Sequence, residues 1–419
     1  MSHRAFPSLD RRGFLKLAGL SWLTPVGRLL ADQAERSREP ARSVILLWLD
    51  GGPSQLETFD PHPGTSIAAG TGAIATAARG IQLASGFERL ADEMGSVALL
   101  RSMVSKEGDH ERGTYLMKTG YRPDPTVIHP SIGAICCHEL PVDRTDIPRH
   151  ISILSGKWPG RGGFLGGEYD AFQIGDPKGR LPDVTATAPA ARDRARVADL
   201  DVVERAFARG RKGRVEATLH REAFDRARVM MSSEQLRAFD VTQEPASVRA
   251  EYGDTPFGRG CLAARRLIEV GVRCVEVTLG GWDSHVNNHE IHAGLVAQLD
   301  PAFAALIRDL GRRGLADQTV VLCGGEFGRT PKVNVAGGRD HWTNGYSLAI
   351  SGGGLRGGLA IGETDPEGKK DPAGPISIED VHATVLAALG LDPRTENIDP
   401  ATTRPIKLSE GKPIREILS

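Results

Sequence analysis

Strand-like runs recur along the chain and stop at glycine pairs or triplets, the first and third of them nearly continuous in apolar residues. SVILLWLD (43–50) runs into Gly51-Gly52, VRCVEVTL (272–279) into Gly280-Gly281, TVVLC (319–323) into Gly324-Gly325, and YSLAIS (346–351) into Gly352-Gly353-Gly354. Continuous β-branched and leucine-rich runs of this length suit strands buried on both faces, as in a parallel sheet covered by helices. Stretches of helical character alternate with them: about 86–95 ahead of a strand at about 97–101, Glu111 to Lys118 with Gly120 as its stop, about 256–270, and SIEDVHATVLAALGLDP near the C-terminus. This alternation predicts a three-layer α/β/α fold with a largely parallel central sheet. Open sheets of this kind place ligands at the carboxyl ends of their strands.

Those ends carry the chemistry-bearing residues. Asp50 closes the first run, Glu326 follows TVVLC-Gly-Gly, and Asp340-His341 follows a Gly-Gly-Arg turn. Trp282, Asp283 and His285 follow Gly280-Gly281, and His110, between Asp109 and Glu111, opens a helix. An Asp at such a turn can simply be a cap, and a His before a helix can be a surface residue. Several strand ends with the same architecture favour a shared site. If the segment after Ser284 is helical, His285 and His289 lie on one face at a chelating spacing. His285 is the leading ligand, with His289 and His292 placed as exposed residues of the following helix. Mixed carboxylate and imidazole donors suit zinc or manganese better than calcium.

Between about 155 and 255 the pattern changes to a glycine-rich loop and amphipathic helices, read as an insertion or cap over the site, its Arg/Glu runs as solvated faces. With 419 residues, 40% hydrophobic and 25% charged, the chain can bury a sizeable core. A formal net charge of -1, with no Lys/Arg run interleaved with aromatics, excludes nucleic acid as an expected partner. The five cysteines fit no zinc spacing and are assigned to packing. No stretch after the N-terminus is apolar enough to span a bilayer.

At the N-terminus, Asp10-Arg11-Arg12-Gly13-Phe14-Leu15-Lys16 precedes a moderately apolar segment and a small-residue context around Ala31 and Ala34. This resembles a bacterial twin-arginine export signal over residues 1–34, with Asp10 where that signal usually has Ser or Thr. The resemblance implies a periplasmic or otherwise exported protein, with the twin-arginine translocase as a partner. Because that route carries folded cargo, it suits a protein that acquires its metal before export.

Taken in order, Asp50, the helical segment ending in Thr119-Gly120, the Asp283/His285 cluster, Glu326 and Asp340-His341 resemble the alkaline phosphatase and sulfatase superfamily. Within it they resemble the twin-arginine-exported DUF1501 group, across residues 41–419. On that resemblance Asp50 matches the first metal-ligand Asp, although Gly51 stands where sulfatases often have a second Asp. Thr119-Gly120 matches the end of the sulfatase signature, and counting back from it places His110 at the nucleophile position, which then holds neither Cys, Ser nor Thr. Thr114 is the nearest hydroxyl, with a helix-surface threonine as the alternative. Glu326-Phe327-Gly328 resembles an Asp-His-Gly ligand motif whose His has become Phe.

The resemblance implies a metal-dependent hydrolase of phosphate or sulfate esters, acting on small-molecule or glycan esters. Its expected ligands are Asp50, Asp283, His285, Glu326 and His341, with His110 or His341 as base or ligand. The alternative is a non-catalytic exported protein that keeps the fold to bind a sulfated glycan or a protein partner.

Overall fold

The structure, a computed structural model, describes residues 39–141, 145–179, 181, 184–185, 188–209 and 220–418; the expected export signal lies outside the described residues. Ala41–Ser419 forms a compact unit. Its strands are β1 Ser43–Asp50, β2 Ala73–Ala75, β3 Gln82–Ala84, β4 Val97–Val104, β5 His150–Ile153, β6 Phe172–Ile174, β7 Cys274–Gly280, β8 Thr319–Gly324, β9 Gly328–Arg329, β10 His341–Trp342, β11 Tyr346–Gly352, β12 Leu359–Ile361, β13 Ile376–Ser377, β14 Glu396–Ile398 and β15 Pro405–Lys407. Its helices are α1 Glu88–Glu93, α2 His110–Thr119, α3 Ile132–Glu139, α4 Ala190–Ala208, α5 His220–Ser232, α6 Ala246–Tyr252, α7 Pro256–Glu269, α8 Asn288–Arg312 and α9 Ile378–Ala388.

The main sheet runs β12-β4-β11-β8-β1-β7-β5-β6, with β13 paired to β4. β1 lies at its centre, parallel to both β7 and β8. Alternate residues of β1 serve opposite cores. Ile45, Leu47 and Leu49 pack with residues of α7 and α8, whereas Val44, Leu46 and Trp48 pack with residues of α2, α3 and α9. Burial on both faces is why this strand reads as an unbroken apolar run. The expected three-layer α/β/α class is therefore observed.

One strand departs from the expected direction. β11 is antiparallel to both β8 and β4, and its Gly352 pairs with Val320 at the start of β8. The Gly352-Gly353-Gly354 turn thus lies at the edge opposite the carboxyl ends of β1, β7 and β8. Within residues 155–255, β6 follows the glycine-rich loop and extends the sheet beyond β5, ahead of the helices. The start of this segment stays at the strands' carboxyl ends, where a Cβ on Gly156 would lie 3.3 Å from Asp50 Oδ2, but its later part docks at the opposite end. Ser233 Oγ and Gln235 Oε1 bond to Asp146, ahead of the first residue of β5. Ala238, Phe239, Val241 and Tyr252 are buried in the core, while α4 buries no residue.

All five cysteines are buried free thiols. Among the described residues no helix is long and apolar enough to cross a membrane.

Candidate metal centre

The carboxyl ends of β1, β7 and β8, with the start of α2 and the β9–β10 ribbon, assemble one polar centre. The glycines after β1 permit it. Gly51 has φ +114°, and a Cβ there would lie 2.5 Å from the backbone nitrogen of Asp283; a Cβ on Gly52, at φ +71°, would lie 2.8 Å from the Phe327 ring. Only a residue without a side chain lets the three strand ends approach this closely.

His110 Nε2, Asp283 Oδ1 and His341 Nε2 form a group whose donor atoms all lie within 4.8 Å of one another. Asp283 Oδ1 is 3.3 Å from His110 Nε2, 3.5 Å from His341 Nε2 and 3.1 Å from His285 Nε2. His285 Nε2 is also 3.1 Å from His341 Nε2. Donors about 2.0 Å from one tetrahedral ion stand roughly 3.3 Å apart, so these separations match a shared cation. Each ring has an oxygen at its other nitrogen: His110 Nδ1 contacts Glu326 Oε1 at 2.6 Å, His285 Nδ1 contacts Asp340 Oδ1 at 2.9 Å, and His341 Nδ1 contacts the Gly108 carbonyl at 2.7 Å. With Nδ1–H donated outward, each neutral imidazole turns its Nε2 lone pair inward, the tautomer a metal ligand needs. The grouped donors are two imidazoles and one carboxylate; His285, the expected leading ligand, stands beside Asp283 and His341 but outside that group.

The electrostatics follow from these partners. The hydrogen bond to Glu326 raises the pKa of His110 against the opposing effect of burial. Burial raises that of Glu326 and lowers that of His341. Burial would also raise Asp283, but the hydrogen bond and charge of Arg329 carry it below the usual carboxylate range.

Arg329, which the sequence reading did not single out, is fully buried and ties the centre together. It donates to Asp283 Oδ1 (2.6 Å), to the Gly52 carbonyl (2.8 Å), to the Arg339 carbonyl (3.1 Å) and to the Gly51 carbonyl. β9 pairs with β10 so that Arg329 stands opposite His341. The Gly-Arg-Thr that follows Glu326-Phe327 was the available signal.

Not every expected ligand joins the group. Glu326 is fully buried behind His110, and its Oε1 also accepts the Gly51 N–H at 3.1 Å. It braces a ligand from outside. Asp50 Oδ1 accepts from Trp48 Nε1 at 3.2 Å, and Asp50 is not among the grouped donors. Thr114 is not a helix-surface residue but fully buried, its Oγ1 without a hydrogen-bond partner. Phe327, where the resemblance expected a ligand, packs its ring against those of His110 and His341.

Two histidine placements are corrected. α8 begins only at Asn288, so His285 precedes the helix and does not share a face with His289. His289 instead sits 3.3 Å from Glu57. His292 is buried, not exposed: its Nε2 accepts the Ser54 N–H at 2.8 Å and its Nδ1 donates to the Asn288 carbonyl at 2.9 Å.

Comparison with known proteins places the chain in a family. It belongs to the family described as "Protein of unknown function (DUF1501)", which matches residues 41–418. Similar solved structures include the PsFucS1 sulfatase from Pseudoalteromonas sp. (13% identity, TM-score 0.41, covering 87% of this chain and 70% of that one). They also include alkaline phosphatase from the Antarctic bacterium TAB5 (14% identity, TM-score 0.36, 84% and 99%). A third is the lipoteichoic acid synthase LtaP from Listeria monocytogenes (11% identity, TM-score 0.35, 89% and 75%). A comparison with curated protein sequences finds no match.

Proposed function

We propose that this chain is an exported, metal-dependent hydrolase of phosphate or sulfate esters. The observation that carries the reading is the convergence of inward-facing imidazole lone pairs on Asp283, each ring anchored at its far nitrogen. His110, Asp283 and His341 would hold a zinc or manganese ion, with His285 beside them as a further donor. Such an ion supplies Lewis acidity toward an ester oxygen and acidifies water at neutral pH. Arg329 offsets the charge of Asp283, so the cation's own charge is left to meet an anionic ester. Phe327 closes one wall of the centre with an apolar ring, which strengthens electrostatics there.

Among the described residues no thiol belongs to the donor group, and the hydroxyl of Thr114 is buried one helical turn beyond His110. Hydrolysis would therefore use water as the attacking group. The same absence favours a second reading, a binding protein that keeps the metal centre to hold a sulfated glycan or a partner without turnover. The deciding experiment is an assay of zinc-loaded and metal-stripped protein on aryl phosphate, phosphodiester and sulfate esters. Metal-dependent turnover supports the hydrolase, and bound metal without turnover supports the binding protein.

A further inference from the structure

The geometry points to Asn334 as the positioning residue that fixes His285 in the metal centre, an inference that rests on the metal-binding reading above. Asn334 lies in the loop between β9 and β10. Its Oδ1 accepts the Ala336 and Gly338 N–H groups, both at 2.9 Å. That assignment turns the amide nitrogen the other way, where Nδ2 donates to the His285 carbonyl at 3.1 Å and to Asp340 Oδ1 at 3.3 Å. Asp340 Oδ1 is the oxygen that accepts from His285 Nδ1. One amide therefore holds His285 twice, by its main chain directly and by its ring through Asp340.

The loop is also clamped to the main chain around His285. Val286 forms an antiparallel bridge with Gly337, Asn288 N–H donates to the Gly337 carbonyl at 2.9 Å, and Arg339 N–H donates to the Ser284 carbonyl at 3.0 Å. A Cβ on Gly338 would lie 1.9 Å from the His285 carbonyl oxygen, so glycine is required for the contact. His285 is exposed and precedes the first turn of α8. Its orientation is set by this loop and not by a helix. Groups that hold a ligand's remote nitrogen tune metal affinity by roughly 10–100-fold, and Asn334 orients the carboxylate that does so.

The alternative is that Asn334 merely closes its own loop, and Asn334→Asp separates the two. That substitution keeps Oδ1 for Ala336 and Gly338 but replaces both Nδ2 donors with an oxygen facing Asp340. Zinc is the probe, with affinity measured per folded molecule by competition with a chromophoric chelator. We expect zinc affinity to fall about 10–100-fold, with the urea midpoint close to wild type and the visible absorption of the cobalt-loaded protein altered. The added charge near a cation is controlled by repeating the substitution in a His285→Ala background, where no weakening is expected. Asn334→Ala removes the donors without adding charge and should weaken zinc similarly. Wild-type affinity in both Asn334 variants, or equal weakening with and without His285, overturns the inference. A wild-type chain that takes up no zinc overturns the metal-centre reading itself, and this inference with it.

Discussion

His285 Nε2 and His341 Nε2 stand 3.1 Å apart, while Nδ1 of each ring is already engaged by an oxygen. Two neutral rings in these tautomers would oppose lone pair to lone pair, so the arrangement gains stability when a cation sits between them. Zinc should therefore raise the thermal midpoint of the purified protein. At a free concentration of one hundred times its Kd, the stabilisation is about 2.7 kcal/mol. Asp283→Asn and His341→Ala should each remove most of that shift while changing the metal-free midpoint much less. Differential scanning fluorimetry with chelator and with added zinc reads both quantities. An equal midpoint with and without zinc would sink the idea.

A different histidine should govern part of the acid sensitivity. Burial pushes the pKa of His292 down to about 4, below an unfolded value of about 6.5. The unfolded chain then binds more protons between these values, so stability rises with pH through this window and is lost as pH falls through it. The full difference is on the order of 3 kcal/mol. Urea unfolding between pH 4 and 7 should show a shallower pH slope in His292→Gln, which cannot take up that proton. An unchanged slope would mean that other buried groups carry the acid sensitivity.

Much of the fold was legible because β1, β7 and β8 are buried on both faces and end at glycines, which the packing demands at β1 and β8. The direction of β11 was not legible, since YSLAIS has the same apolar pattern in either direction. Asp283 and His341 were readable as acidic or imidazole groups at strand ends. Arg329 and Asn334 were not, because their partners, Gly51, Gly52 and His285, lie far away in the chain. The start of α8 was misplaced for the same reason: the N–H groups of Asn287 and Asn288 are taken by Ala336 and Gly337, a long-range pairing that local propensity does not report. Glu326 was read from its position, but position alone cannot tell a ligand from the group behind one.

The range 155–255 should divide under deletion. α4 buries nothing, whereas Phe239 lies in the core and Glu244 pairs at 3.0 Å with the fully buried Arg265. Replacing residues 190–228 with a short linker should leave cooperative unfolding and a near wild-type urea midpoint. Extending the deletion to residue 245 should cost more than about 3 kcal/mol, since removing one buried phenylalanine side chain alone costs roughly 3–5 kcal/mol. Loss of cooperativity in the shorter deletion would show that α4 and α5 belong to a covering layer.

Export is tested at the N-terminus. The Arg11-Arg12 pair of the expected signal is read by a receptor, and lysine lacks the planar guanidinium fork. Arg11→Lys combined with Arg12→Lys should abolish periplasmic accumulation in a host with an active twin-arginine pathway and leave the cytoplasmic folded protein able to bind zinc. Normal accumulation of the double variant would remove the twin-arginine assignment without touching the metal centre.

The hydrolase reading makes the most demanding claim, because it requires the donor group to do more than hold an ion. If His110 is a ligand braced by Glu326, His110→Ala should lower zinc occupancy and turnover together, and excess zinc should restore part of both. If His110 acts on the ester and does not hold the ion, His110→Ala should retain zinc and lose turnover at every zinc concentration. Glu326→Gln keeps an acceptor for His110 Nδ1 but removes the charge, so on the ligand reading it should weaken zinc about 10–100-fold while turnover at saturating zinc survives. Aryl phosphate, bis-aryl phosphate and aryl sulfate, each assayed at several zinc concentrations, resolve these cases. Turnover that persists in chelator, or in Asp283→Asn at wild-type rates, would place the chemistry elsewhere in the molecule. Full zinc occupancy with no turnover on any of the three esters would leave the binding-protein reading standing, and affinity for a sulfated oligosaccharide that disappears in His341→Ala would then be its expected signature.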